Sequence, residues 1–305
     1  MTHFRPVGTL LAALLCAGAW QSAWGEPTGG QAKKAEPPTC DRAAFRVLVD
    51  VGHTAEVPGA TSARGLKEYD FNLRLATLIE QQLMAVGFAK TVLLITDGKK
   101  MQSLTDRVAR ANGAGADLFL SIHHDSVPDK FLQKWTFEGE EHGYSDRFKG
   151  HSIFISRSNA DVKGSLQFAK LLGRELKARD LHYAPHYTEK FMGQFRREIV
   201  DKDVGVYYYD KLIVLKDTRM PAVLLEAGSI INRDEELIMG SPERQALISA
   251  SVTGAVEAFC VARQPRKLEQ VARPAAAAPK ATAAPKATLL PASVAQQPAK
   301  PATPR

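Results

Sequence analysis

The 305-residue chain carries 40 Lys and Arg against 33 Asp and Glu, for a formal net charge of +7, and 45% of its residues are hydrophobic. Such a composition is ordinary for a globular protein of one or two domains and leaves room for a full core. The charge surplus is local: Arg263 to Arg305 holds eight Lys or Arg and one Glu, which accounts for the whole +7, so the basic balance belongs to a tail and not to a nucleic-acid-binding domain.

Residues 1–25 read as a secretory signal. Arg5 opens a short basic start, Val7 to Ala19 is apolar but too short to span a bilayer, and Ala23-Trp24-Gly25 offers small residues at both cleavage positions. A lipid anchor on Cys16 is the weaker reading, because Leu15 stands where a small residue should precede a lipidated cysteine. No later segment reads as apolar enough to cross a membrane, so no stable insertion is expected after cleavage. Residues 26–44 are a flexible lead-in, rich in Gly, Pro, Lys and Glu up to Thr39. The two cysteines left, Cys40 and Cys260, flank the patterned region. In an oxidising compartment they form a candidate disulfide worth roughly 2–4 kcal/mol, with two unpaired thiols as the alternative.

Phe45 to Val51 is a continuous apolar run, the mark of a buried central strand, and its end delivers His53. Thr54 to Lys67, with Pro58, Gly59, Ala60 and Gly65, reads as a loop bringing Glu68 back. Phe71, Leu75, Leu78, Ile79, Leu83 and Val86 recur at helical spacing, and Gly87 stops the helix. Thr91 to Thr96 is a second strand, and Leu104 to Ala114 a helix with Arg107 and Arg110 facing out. Leu118 to Asp125, LFLSIHHD, is an apolar strand ending in two histidines and a carboxylate. Residues 126–150 form a less patterned insertion with Glu138, Glu140, Glu141 and His142 near its middle. His151 to Ser156 reads as a strand, Leu166 to Leu176 as a helix, and Leu181 to Asp203 as a polar irregular stretch holding His182, His186, Arg196 and Arg197. Lys211 to Leu215 and Ala222 to Leu225 are further strands, Glu226 interrupts an apolar run, and a last helix spans Pro242 to Phe259. The tandem AAPKAT repeats in 263–305 cannot bury enough apolar surface to fold. The expected fold is therefore a single α/β domain over 45–262, a twisted, mostly parallel sheet with helices on both faces.

His53, Glu68 and His123 make a His₂Glu set that suits zinc with an open fourth position, and Glu226 suits the acid/base beside it. Each alone has a plainer reading: the histidines as caps on strand ends, Glu68 as a carboxylate favoured at a helix N-terminus. Glu226 resists one, since an unpaired carboxylate is costly to bury in an apolar run. Neighbouring strand residues face opposite ways, so His123 and His124 cannot both address one metal.

The order GH at Gly52-His53, then the acid Glu68, then SIH at Ser121 to His123 followed by an acid, then LLEAG at Leu224 to Gly228 with Asn232 close behind, resembles the zinc-dependent N-acetylmuramoyl-L-alanine amidases of the type 3 family. The resemblance runs from about Arg46 to about Phe259 with all four motifs in register. It implies one Zn2+ per chain on His53, Glu68 and His123, with Glu226 as catalytic acid/base. The family places its ligand first after Ser-Ile, which selects His123 and leaves His124 as a residue behind the ligands or a substrate contact. Asp125, Asn232 and His186 are further candidates, with a plain surface histidine as the other reading of His186. The resemblance implies peptidoglycan as the substrate, hydrolysis between N-acetylmuramic acid and L-alanine, a periplasmic or secreted location, and a role in cell separation or wall turnover. Some relatives carry a regulatory helix near 126–150 that an activator protein displaces, so this insertion is a candidate gate; a solvated loop is the alternative. Two departures stand out: Thr54-Ala55 where two glycines usually follow the histidine, and Ser229 where an aromatic usually follows the LLEAG glycine. The rival functions are a zinc peptidase acting on the stem peptide and a non-catalytic wall-binding protein that uses the groove and the basic tail.

Overall fold

Short runs of apolar residues buried on both sides set the architecture. In the computed structural model, which describes residues 39–263, β1 (Val47–Val51) and β3 (Leu118–Asp125) are neighbouring interior strands of a seven-stranded sheet. The strand order is β2-β1-β3-β9-β6-β8-β7, with β2 at Val92–Leu94, β6 at Ser152–Ile155, β7 at Ile199–Asp201, β8 at Val206–Tyr208 and β9 at Ala222–Ser229. The β1/β2, β1/β3, β3/β9 and β6/β8 pairs are parallel; β6/β9 and β7/β8 are antiparallel. The mostly parallel α/β sheet is thus as the sequence implied, but β8 and the antiparallel edge lay in stretches without a clear period. The signal, most of the lead-in and the tail beyond Arg263 lie outside the described residues.

Alternation along each strand divides the core in two. Val47, Val49, Val51, Leu120 and Ile122 face a cluster with α1 (Glu68–Ala85), α3 (Val162–Ala178) and α6 (Pro242–Arg263). Leu48, Phe119, Ala222 and Leu224 face the other way, towards α2 (Lys100–Ala114) and α4 (Ile213–Lys216). Lys211 to Leu215 was expected as a strand, and the helical turn of α4 replaces most of it. The neighbours Val214 and Leu215 both enter the same core cluster, which a two-residue strand period forbids and a helical turn allows.

Three other features differ from the sequence reading. Arg107 does not face out: it is 3% exposed and pairs with Asp50 beneath the sheet. The insertion carries an antiparallel hairpin, β4 (Gln133–Phe137) and β5 (Glu140–Tyr144). Its Trp135 donates Nε1–H to the Ala63 carbonyl at 2.8 Å, and its exit is tied to α5 (Arg233–Met239) by the Arg233–Asp146 ion pair. It therefore braces the loop before Glu68. Finally, α6 is long and apolar enough by composition to cross a bilayer, unlike the sequence reading of this segment, but its apolar residues pack into the core with α1 and α3. Cys40 and Cys260 are bridged, with Cα atoms 5.3 Å apart, which fastens the segment before β1 to α6.

Two stability predictions follow from this packing. Replacing both cysteines by serine should remove about 2–4 kcal/mol and lower Tm by roughly 4–16 °C in a domain of this size, as read by calorimetry. His151, just before β6, is 3% exposed with neither ring nitrogen hydrogen-bonded, and burial pushes its pKa down from 6.5 to about 4. The unfolded chain therefore binds a proton there that the folded chain refuses. Stability from this group is fully present above pH 6.5 and is lost as pH falls towards 4, by up to about 3 kcal/mol. His151→Asn should flatten the fall of Tm across that window; an unchanged pH profile would remove His151 as its cause.

Candidate metal centre and active site

The carboxyl ends of β1, β3 and β9 meet at one edge of the sheet, where open α/β sheets present their ligands. β1 ends in Val51, and the chain turns sharply at His53, whose backbone is left-handed with φ 67°. Glu68 is the first residue of α1, where its charge suits the helix dipole. His123 lies near the end of β3. Its Cα is in register with Glu226 on β9, so both side chains stand on the α2 face of the sheet.

Glu68 bridges the two histidines. Its Oε2 lies 3.0 Å from His53 Nε2 and its Oε1 lies 3.0 Å from His123 Nδ1. Burial raises the Glu68 carboxyl, but hydrogen bonds from His123 and His53 more than reverse this and hold it below the usual carboxylate range. The donor atoms of the three residues all lie within 4.8 Å of one another. Donors on a tetrahedral zinc at ~2.0–2.1 Å stand about 3.3 Å apart, so two nitrogens and a carboxylate at these separations fit one zinc ion. The surrounding backbone leaves no slack. A Cβ on Gly52 would sit 2.4 Å from His123 Nε2, and one on Gly59, at φ +80°, would sit 2.3 Å from Glu68 Oε2.

Supporting contacts come from both faces. On the α1 face, Asn72 donates Nδ2–H to Glu68 Oε1 and to the Gly52 carbonyl, both at 3.2 Å, and its Oδ1 lies 2.8 Å from His124 Nδ1. His124 is thus turned away from His123, packed on Phe71, and burial pushes its pKa down to about 3. On the α2 face, Arg107 Nε lies 3.0 Å from Asp50 Oδ1, and Ser121 Oγ donates to Asp50 Oδ2 at 2.6 Å. The same guanidinium donates Nη2–H to the Val51 carbonyl at 2.9 Å and to the His53 carbonyl. Arg107 therefore holds the turn that presents His53. Neither Asn72 nor Arg107 emerged as a site residue from the sequence; a buried-face position in α2, four residues before Ala111, was the available signal for Arg107.

Glu226 Oε2 is buried without a hydrogen-bond partner, and burial pushes the carboxyl well above the carboxylate range, reinforced by the charges of Asp125 and Glu68. Asp125 is also buried. It accepts a 2.7 Å hydrogen bond from Tyr187 Oη, and burial pushes it up to about 7. His186 is a buried residue rather than a surface one, with Nε2 3.9 Å from Asp125 Oδ2 and its ring against Phe148. Asn232 caps α5, accepting from the Asp234 and Glu235 amides, and donates to the Asp146 carbonyl, so it holds local structure at the site's margin. His53, His123 and Glu226 line two cavities. One, of about 260 Å³, is polar and includes Asp125, Tyr187 and Arg197; the other, of about 220 Å³, has Leu104, Leu212, Val214 and Leu224 in its walls. No residue of the β4–β5 hairpin lines either cavity, while Ser126 and Pro128, from the start of the 126–150 insertion, stand in the wall of the polar one.

A family model described as N-acetylmuramoyl-L-alanine amidase matches residues 47–258. The sporulation-specific N-acetylmuramoyl-L-alanine amidase of Bacillus subtilis is 37% identical over 215 residues, 70% of this chain and 68% of that one. The amidase AmiA of Escherichia coli is 25% identical over 225 residues, 70% of this chain and 75% of the relative. The crystal structure of the amidase Ami1 from Mycobacterium smegmatis superposes with a TM-score of 0.55 at 19% identity, covering 72% of this chain and 99% of that one, a likeness of fold.

The Arg107 contacts generate a prediction that does not depend on turnover. Arg107→Lys keeps a charge near Asp50 but loses the planar fork that reaches two carbonyls. It should weaken Zn2+ binding roughly 10- to 100-fold in a chelator competition. Arg107→Met strands the Asp50 charge and should cost about 3–5 kcal/mol of stability. Wild-type zinc affinity in Arg107→Lys would rule out the bracing role.

Proposed function

The chain belongs to the N-acetylmuramoyl-L-alanine amidase family, enzymes that act on peptidoglycan, and on that premise we propose that it hydrolyses the amide between N-acetylmuramic acid and the L-alanine of the stem peptide with zinc held by His53, Glu68 and His123. The observation that carries the reading is a three-donor cluster with a buried Glu226, its Oε2 unpartnered, in the same cavity. Zinc bound there would supply Lewis acidity towards the carbonyl and acidify a water. Glu226 accepts the proton of the attacking water at Oε2 and delivers it to the alanine nitrogen as the C–N bond breaks; a raised carboxyl suits a group that must be both base and acid. Arg107 and Asn72 keep the donors in place while this proton moves. The setting would be the periplasm or the exterior, in cell separation or wall turnover. The first 25 residues support export, and the Cys40–Cys260 bridge suits an oxidising compartment.

Residues 26–305, loaded with zinc and incubated with purified peptidoglycan, should release soluble peptides that begin with L-alanine, identified by mass spectrometry. Glu226→Ala should lower kcat by roughly 10²- to 10⁴-fold at unchanged zinc content, and a chelated sample should recover on adding Zn2+. Peptides cut inside the stem would instead establish the peptidase reading. Binding without any cleavage, lost when residues 264–305 are removed, would establish the wall-binding one.

A further inference from the structure

The polar cavity contains a cation that this chemistry does not use. Arg197 stands in its wall with Glu226, Asp125 and Tyr187. Its guanidinium carbon lies 4.0 Å from the centroid of the Tyr209 ring, and its backbone N–H is fixed to the Tyr187 carbonyl at 2.7 Å. Nη1 donates only to the backbone carbonyls of Arg196, at 3.1 Å, and Gln194, at 3.4 Å, while Nε is buried with no partner. Three carboxylates line the same cavity, and none of them pairs with it. Stacking alone does not mark the residue, since Arg157 and Arg233 also lie over tyrosine rings. Both of those hold a carboxylate as well. Arg197 is set apart by being held in place, partly desolvated and without an acid. A buried donor left unpaired is costly, and a planar fork pinned on an aromatic ring is pre-arranged for a carboxylate.

The substrate of the proposed reaction offers such a group on one side only. The acyl side of the scissile amide is a neutral N-acetylated sugar ether. The amine side is L-alanine followed by a γ-linked D-glutamate, whose α-carboxyl is either free or amidated. That carboxyl belongs to the residue next to the alanine, about 3.8 Å further on from Cα to Cα, so the nitrogen at Glu226 and the carboxylate at Arg197 can share one cavity of about 260 Å³. The second cavity is walled by aliphatic side chains, and its unpaired cation, Lys100, is exposed at the rim. We infer that Arg197 recognises the α-carboxylate of the second stem residue and makes the enzyme selective for stems carrying isoglutamate over those carrying isoglutamine. The inference rests on the amidase reading given above.

The test uses the zinc-loaded enzyme and two muramoyl-tripeptide amides that differ only in a carboxylate or a carboxamide at the α-position of the second residue. The wild type should prefer the carboxylate roughly 10- to 100-fold in kcat/KM, chiefly through KM. Arg197→Met should cleave both at the rate of the amidated substrate, Arg197→Lys should keep part of the preference, and Lys100→Ala should keep all of it. Equal wild-type rates on the two substrates overturn the inference and leave the amidase reading standing, as does an equal loss on both in Arg197→Met. Cleavage of neither by the wild type removes both readings together. Should Arg197→Met fail to fold, the wild-type ratio and its change in Arg197→Lys, at unchanged Tm, still decide the matter.

Discussion

Glu68 offers one carboxylate oxygen to His53 and the other to His123, each at 3.0 Å, and it can do so only because β1 and β3 end, and α1 begins, at the same edge of the sheet. Two imidazoles and one carboxylate in a buried pocket are a poor arrangement for stability by itself, since a buried carboxylate needs strong compensation. The compensation is local and complete. The Ala60 amide donates to Oε2 at 3.0 Å, Asn72 donates to Oε1, and the start of α1 places the charge at the favourable end of the helix dipole. The loop that carries Ala60 is in turn held by Arg64, paired with Glu236 of α5, and by Trp135 of the hairpin. The hairpin thus contributes to placing Glu68 without lining the cavity.

The sheet's two faces divide the remaining work. Strand alternation puts Asp50, Ser121, His123 and Glu226 on the α2 face, so the Asp50–Arg107 pair lies beneath the reacting groups. It puts His124 on the α1 face, where Asn72 and Phe71 hold it. One helix therefore fixes the turn after β1 and the other fixes the carboxylate, and neither needs a side chain from the polar segment between α3 and β8. That segment is left to shape the cavity, through Tyr187, Met192 and Arg197.

Sequence reading succeeds here where a period and a chemical type coincide. Five buried residues in a row announce β1, and an apolar run that stops at histidine announces the edge where a site sits. The same alternation rule separates His123 from His124 without coordinates. It fails where tertiary partners decide. Arg107 belongs by type to a solvated face, and only the depth of Asp50 on the neighbouring strand makes its burial favourable. Val214 and Leu215 suit a strand by propensity, and the need to bury both against one cluster turns them into a helix. Short β8 and the hairpin carry too few residues for a period to stand out, and the hairpin's aromatic side chains bury by packing on Arg64 and Arg233 rather than on a second apolar layer.

Two glutamates in one cavity show how environment rather than residue type assigns roles. Both are withdrawn from bulk water, and burial alone would raise both. Glu68 has two imidazole partners, an amide and a carboxamide within hydrogen-bonding distance, and these hold it ionised. Glu226 has no partner on Oε2 and two neighbouring acids, Asp125 and Glu68, which add to burial and push its carboxyl well above the usual carboxylate range. The group held low is suited to stay in place as a ligand, and the group held high to exchange a proton with whatever enters the cavity. A cation bound on the Glu68 side would draw the Glu226 carboxyl back down, because a positive charge favours its ionised form. The polar atoms around Glu226 are therefore set for a site that works with its metal in place, and the high setting of this carboxyl is a property of the protein framework alone.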